Sequence, residues 1–321
     1  MPIQRFATQV ADLITKRIAS LINSTIPSAS SLETLLVLQG RSLALANKKR
    51  SPLQNIHDAE FKVFSQYGED GIIQYLISQS SIQSHEQAFI EFGVQNYTES
   101  NTRFLLISDQ WRGLIIDGDE EYIKSVQRSD IYWRYNLTAL CKWIDRDNIN
   151  SIISSAGFSG DIGLLSIDID GNDYWVWERI KVVNPVIVVV EWNSVLGPRH
   201  ALSVPYDPAF NRPEAHYSCL YWGASISAFY KLALNKGYSL ICSNRIGNNL
   251  FFVRNDRLGN LVPLTPEKAY IESNFRDSRD SNGNLTFMSG PDRATIIQDL
   301  PFIDVDNSET VTIAQLNSTA F

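Results

Sequence analysis

Four apolar runs of the chain end in carboxylates, and these are the first candidates for chemistry. FIEFGV (89–94) carries Glu91, and GLIIDGD (113–119) carries Asp117 and Asp119. IGLLSIDID (162–170) carries Asp168 and Asp170, and VIVVVEWN (186–193) carries Glu191 beside Asn193. Any one of them could simply cap the helix that follows, because a side-chain oxygen there accepts from free backbone N–H groups. Recurrence at four run ends opens further chemistry. Oxygen ligands suit a hard divalent ion such as Mg2+, which Asp168 or Asp170 could hold together with Glu191 and Asn193. Such an ion would acidify a bound hydroxyl and orient it. Without a metal, a carboxylate, His200 or His216 could act as general base. A short Asp-x-Asp after an apolar run also fits a metal-chelated nucleotide-sugar, which keeps a glycosyltransferase open as one alternative, a non-catalytic protein that uses the fold for binding or assembly being the other.

These residues need elements to position them. From about residue 61 the pattern alternates helix with strand, and the strand signals are short continuous apolar runs. Strands covered by helices on both faces read this way, so the expected fold is α/β, a Rossmann-like doubly wound sheet. Helices are expected from near Gly68, over 99–108, over 120–128, from Asp147, from Asp173 and over 225–236, with a strand within 131–140. After the long loop 194–222, YSLICSN and NLFFVRND flank RIGN and predict a hairpin that adds one antiparallel strand to a mostly parallel sheet. Weak strand signals recur near 301–305 and 310–315. Ligands of open α/β sheets bind outside the carboxyl ends of the strands, where the acids lie.

The first strand-to-helix turn, EFGVQNYTES, lacks the G-x-G-x-x-G that lets a backbone approach a pyrophosphate, which disfavours NAD and FAD. S-adenosylmethionine has no phosphate; it has a sulfonium, an ammonium and a ribose diol. Glu91, two residues before Gly93, suits the ammonium end, and Asp117 at the second strand's end suits the ribose hydroxyls. Upstream, SQYGEDG (65–71) admits two readings. Ser65 or Gly68 could cap a helix whose first turn holds Glu69 and Asp70, or Gln66, Tyr67 and Gly68 could lie over the cofactor. The 194–222 loop offers Pro198, Arg199, His200, Tyr206, Tyr217, Tyr221 and Trp222, either to face a polar ring substrate or to pin the loop itself.

SQYGEDG, FIEFGV, GLIIDGD and SIDIDGNDYWVW (166–177) together resemble the FkbM-type class I methyltransferases over roughly residues 61–256. The resemblance implies S-adenosylmethionine-dependent O-methylation, often of sugars or other small hydroxylated molecules. It places Glu91 and Gly93 in the first cofactor motif, Asp117 at the ribose with Asp119 beside it, and Asp168 and Asp170 in the acidic pair after the fourth strand. The family's second glycine is missing here; Glu99 and Ser100 stand in that region.

Composition sets the outer limits. With 321 residues, 44% hydrophobic and 20% charged, the chain can bury a sizeable core. The expected organisation is a helical N-terminal arm (1–50), a main domain (51–260) and a C-terminal extension packing on it (261–321). Cys141, Cys219 and Cys242 lie far apart, which suits a reducing cytoplasm better than a disulfide framework. The first 50 residues hold seven basic and two acidic side chains, so the remaining 271 carry −12 of the net −7. That acidic body disfavours nucleic acid as a partner. Residues 3–24 predict an amphipathic helix with Phe6, Val10, Leu13, Ile14, Arg17 and Leu21 near one face, and a second helical stretch covers about 31–47. The arm could dock, self-associate or touch an anionic membrane surface.

Overall fold

The computed structural model describes residues 29–318; the helix predicted over residues 3–24 lies outside them. The first helix, α1 (Ala29–Lys49), is followed by α2 (Glu69–Gln79). The alternation then runs β1 (Ala88–Phe92), α3 (Arg103–Asp109), β2 (Arg112–Asp117), α4 (Glu120–Arg128), β3 (Leu137–Cys141) and α5 (Ile149–Ser155). It continues through β4 (Gly160–Ile167), α6 (Asp173–Arg179), β5 (Val183–Glu191) and α7 (Ile226–Lys236) to the hairpin of β6 (Tyr238–Ser243) and β7 (Asn249–Arg254).

These seven strands form one sheet in the order β3-β2-β1-β4-β5-β7-β6. Every strand is parallel except β7, which runs antiparallel to both β5 and β6. This is the doubly wound, Rossmann-like sheet that the apolar runs predicted, with the second hairpin strand turned against the others. Alternate residues of each strand feed two cores. Ile90, Phe92, Ile116, Ile167 and Val190 pack under α5, α6 and α7, where Trp177 and Phe229 sit. Phe89, Ile115, Leu164 and Val189 pack under α2, α3 and α4. Period-two alternation with both faces apolar explains why the strands read as unbroken hydrophobic runs. Each such side chain contributes about 1.5–3 kcal/mol on burial.

The register decides where the chemistry lies. Phe92 pairs with Ile116 on one side and Ile167 on the other, and Ile167 pairs with Val190. One residue further along, Gly93, Asp117, Asp168 and Glu191 therefore form a row across four strand ends.

Three local expectations shift. A short helix at Asp130–Arg134, closed by an Asp130–Arg134 ion pair of 2.7 Å, precedes β3, so the strand starts only at Leu137. Helix α3 starts at Arg103, because residues 100–102 are bent around Glu91. The signal near 310–315 divides into a strand, Glu309–Val311, and a helix from Ile313. That strand joins Phe302–Asp304 and Leu202–Ser203 in a small antiparallel sheet. Between the two sheets, residues 264–293 return along β6 and cross the carboxyl ends of the strands. Leu264 N bonds Leu240 O, Tyr270 packs edge-on against Trp192, and Ser273 N bonds Ser194 Oγ. No helix among the described residues is long and apolar enough to cross a membrane.

Candidate active site

A cavity of about 1150 Å3 opens at the carboxyl end of the sheet. The row of strand-end residues forms its floor, and the 206–222 loop with residues 273–293 forms the far wall. A volume this size exceeds what one drug-sized ligand needs, leaving room for two reactants.

Gly93 is the tightest point of the floor. Its φ is +72°, and a Cβ there would lie 1.5 Å from the Asp168 carbonyl oxygen. Only glycine allows β1 to turn away so close to the end of β4. The turn then brings Gln95 N to 2.7 Å from Asp117 Oδ2, while Asp117 Oδ1 accepts from Asp119 N at 2.8 Å. A carboxylate offers about four acceptor positions, so Asp117 keeps two for a ligand in the cavity. Asp119 serves its own helix: its Oδ1 caps α4 by accepting from Glu121 N and Tyr122 N. Beside Asp117, the exposed ring of Trp143 lies over Gly118 and is tethered through Nε1 to Pro208 O at 2.7 Å. A flat aromatic face thus adjoins a free hydroxyl acceptor.

On the other side of Gly93, Asp168 and Glu191 end the neighbouring strands β4 and β5, one residue beyond the Ile167–Val190 pair. Burial, then the charges of Asp170 and Asp173, push Asp168 well above the usual carboxylate range. Burial, then Asp168, does the same to Glu191. Arg212 opposes this. Its Nη1 bonds Asp170 Oδ1 and its Nη2 bonds Asp277 Oδ2, both at 2.7 Å, while Nε bonds Cys219 O and the guanidinium covers the Trp222 ring. Glu191 Oε2 and Asn172 Oδ1, both on cavity-lining residues, have no partner.

Several expected site residues have other duties. Glu91 does not line the cavity. It is buried, and its oxygens accept from Asn101 N, Thr102 N and the hydroxyls of Ser100 and Thr102, so it shapes the β1–α3 turn and does not present itself to an ammonium. Asn193 is equally engaged, with Oδ1 taking Val195 N and Nδ2 giving to Leu220 O and Trp222 O. Asp170 is exposed, in the left-handed region at φ +56°, and paired with Arg212. Among the described residues no three His, Cys, Asp or Glu side chains are grouped to hold a metal ion. Of the expected Mg2+ set of Asp168, Asp170, Glu191 and Asn193, Asp170 is therefore turned to Arg212 and Asn193 is taken up by backbone groups, while Asp168 and Glu191 line the cavity. His200 lines a separate small cavity with Leu196 and Ile313. His216 bonds Ser218 Oγ through Nδ1 and stacks on Tyr217. Neither histidine reaches the acidic row.

SQYGEDG is largely a clamp. Asp70 Oδ2 gathers the N–H groups of Val63, Phe64 and Ser65. Glu69 takes Tyr67 N and the Asn244 amide, joining α2 to the β6–β7 turn. Gly68 lies against Glu60 and Tyr67 against Phe275, whereas Gln66 lines the cavity and bonds Asn248. Asp173 likewise holds the IDIDG turn, accepting from Ile169 N and Gly171 N. Arg212, Asp277, Trp143 and Phe275 were not among the expected site residues.

No family model matches the chain, and no curated protein matches it. Among solved structures it is similar to the N-terminal domain of EvdMO1 with SAH bound (TM-score 0.38, 12% identity, 66% of this chain and 94% of that chain). The CurJ carbon methyltransferase gives TM-score 0.38 and 10% identity over 70% of each chain. The O-methyltransferase from Bacillus cereus in complex with SAH gives TM-score 0.36 and 16% identity over 74% of this chain and 96% of that chain.

Proposed function

We propose that this protein is an S-adenosylmethionine-dependent O-methyltransferase of the FkbM type, acting on a hydroxyl of a sugar or another small polar molecule. The observation that carries the reading is the row Gly93–Asp117–Asp168–Glu191 on the floor of one large cavity, in a sheet whose β7 alone runs antiparallel. When bound, S-adenosylmethionine supplies a methyl carbon on a positively charged sulfur. The two free acceptor positions of Asp117 fit vicinal ribose hydroxyls, and the face of Trp143 fits an adenine.

On the acceptor side the Asp168–Glu191 pair does the proton chemistry. The pair takes the hydroxyl proton as the oxygen attacks, with both carboxyl residues on the lining of the cavity. Arg212 keeps negative charge on the pair and fixes Trp222 and Cys219 as the acceptor's wall. Most of the acceleration is positional, since an oriented pair of reactants avoids most of the entropy of encounter.

Calorimetric titration of S-adenosylhomocysteine is the first test. Binding by the wild type, weakened in Asp117→Ala, supports the reading; a wild type that gives no heat overturns it. Stabilisation by UDP with Mn2+ instead would restore the nucleotide-sugar alternative.

A further inference from the structure

Arg212, Arg279 and Arg293 all line the far wall of the cavity, and two of them are matched in charge. Arg212 pairs with Asp170 and Asp277. Arg293 is buried and pairs with Glu272 at 3.1 Å, while its other N–H groups reach Ser273 Oγ, Phe275 O and Gly290 O. Arg279 is exposed, and no carboxylate among the described residues pairs with it. Asp280, its neighbour in sequence, is engaged in its own turn: Oδ1 accepts from Asn282 N and Asn284 N, and Oδ2 from Asn284 Nδ2.

The Arg279 guanidinium is nonetheless held in place. Thr286 N bonds Ser278 O, Arg279 and Leu285 form an antiparallel bridge, and the buried Ser278 hydroxyl bonds Thr286 Oγ1, so residues 278–286 make a hairpin. Arg279 N bonds Ser218 O, which docks that hairpin on the loop carrying Arg212. Across the turn, Arg279 Nη1 bonds Gly283 O at 2.9 Å. The Nε–Nη2 edge is left without a partner among the described residues. Such an edge meets a carboxylate or a phosphate with two parallel hydrogen bonds, and a guanidinium already fixed loses little freedom in doing so. The floor has the opposite sign: Asp117, Asp168 and Glu191 line it, so an anion is repelled there and attracted to the wall. The other cavity cation without a carboxylate partner among the described residues, Lys142, follows β3 beside Trp143 on the opposite flank.

We infer that the acceptor carries an anionic group, carboxylate or phosphate, which the Nε–Nη2 edge of Arg279 holds while the reacting hydroxyl faces Asp168 and Glu191. This rests on the proposed methyl transfer in calling the bound molecule an acceptor, and it adds that molecule's chemical class.

Calorimetric titration of the full chain with glucose, glucuronate and a hexose phosphate tests this, each with and without S-adenosylhomocysteine. At low ionic strength at least one of the two anions should bind about tenfold tighter than glucose, the lower end for hydrogen bonds to a charged group, and the one that does identifies the group. Arg279→Gln should bind that anion no better than glucose and keep the wild-type affinity for S-adenosylhomocysteine, whereas Lys142→Gln should keep the preference. Equal binding of the three sugars by the wild type, no heat from any of them included, would overturn the inference. So would a preference that survives in Arg279→Gln, or one lost in Lys142→Gln instead, which places the anion on the donor flank. A wild type that gives no heat with S-adenosylhomocysteine, yet loses its anion preference in Arg279→Gln, would defeat the methyl-transfer reading and leave the anion site standing.

Discussion

Replacing Gly93 by alanine probes the assembly of the whole floor. The new Cβ would stand 1.5 Å from the Asp168 carbonyl oxygen, half of the 3.0 Å below which real Cβ contacts essentially never fall. The atom it meets is backbone, so rotamer changes give no relief. The ends of β1 and β4 must part by about as much again, and the alanine must also hold a φ of +72°. Left-handed strain alone costs roughly 1–2 kcal/mol. With the overlap added, we expect a loss on the order of 3 kcal/mol, or roughly 4–5 °C in melting temperature for a chain of this size. Displacement on this scale separates Asp117 from Asp168 and Glu191, and a misplacement of about 1 Å can cost roughly a hundredfold in rate. Gly237→Ala is the matched control. Gly237 has φ +83° at the end of α7, and a Cβ added there would meet nothing within 4 Å, so it isolates the strain without the overlap. It should melt slightly lower and turn over normally. Thermal unfolding and methyl transfer measured on both variants decide the matter. If Gly93→Ala behaves like Gly237→Ala, the close approach of β1 and β4 does not organise the site and the reasoning fails.

Asp117→Ala should weaken S-adenosylhomocysteine binding about ten- to a hundredfold, the worth of a charge-assisted hydrogen bond of about 1.5–3 kcal/mol. Asp119→Ala should leave that affinity alone and cost about 1 kcal/mol of stability as a lost helix cap, read by urea unfolding. Arg212→Gln removes the charge that lowers the Glu191 pKa, so the rising limb of the pH–rate profile should move to higher pH; an unmoved limb would separate Arg212 from the carboxyl pair. Asp70 and Asp173 are each raised by burial from 3.8 to about 6. The unfolded chain therefore releases these protons first, and stability should fall as pH rises from about 4 to 6. Asp70→Asn should flatten that slope, measured by urea unfolding at several pH values.

The row of acids was legible in the sequence for a simple reason. A strand covered on both faces is a continuous apolar run, and the first polar residue after it marks where the strand leaves the sheet. Asp117, Asp168 and Glu191 all follow that rule. Occupancy was not legible. Glu91 ends a run as well, but its partners Ser100 and Thr102 lie nine and eleven residues on, and only the fold shows that they surround it. Asn193 is likewise consumed by carbonyls 27 and 29 residues away. Arg212 was invisible because its partners Asp170 and Asp277 stand 42 and 65 residues from it, in a polar stretch with no periodicity. The histidines drew attention by residue type, and packing turned both elsewhere.

The Arg212 bridge has a consequence for the order in which this molecule is made. Gln66, Gly93, Asp117 and Trp143, one flank of the cavity, are all synthesised before Arg212 and Asp277. The opposite flank needs Asp277, which pairs with an arginine synthesised 65 residues earlier. At about 5–20 residues per second, several seconds separate those two events. During that interval Arg212 has Asp170 but not Asp277, and the far wall of residues 273–293 has not been made. Translation thus supplies the wall of residues 273–293 last, after every strand of the large sheet has been made, so the cavity floor can form before its far wall closes it.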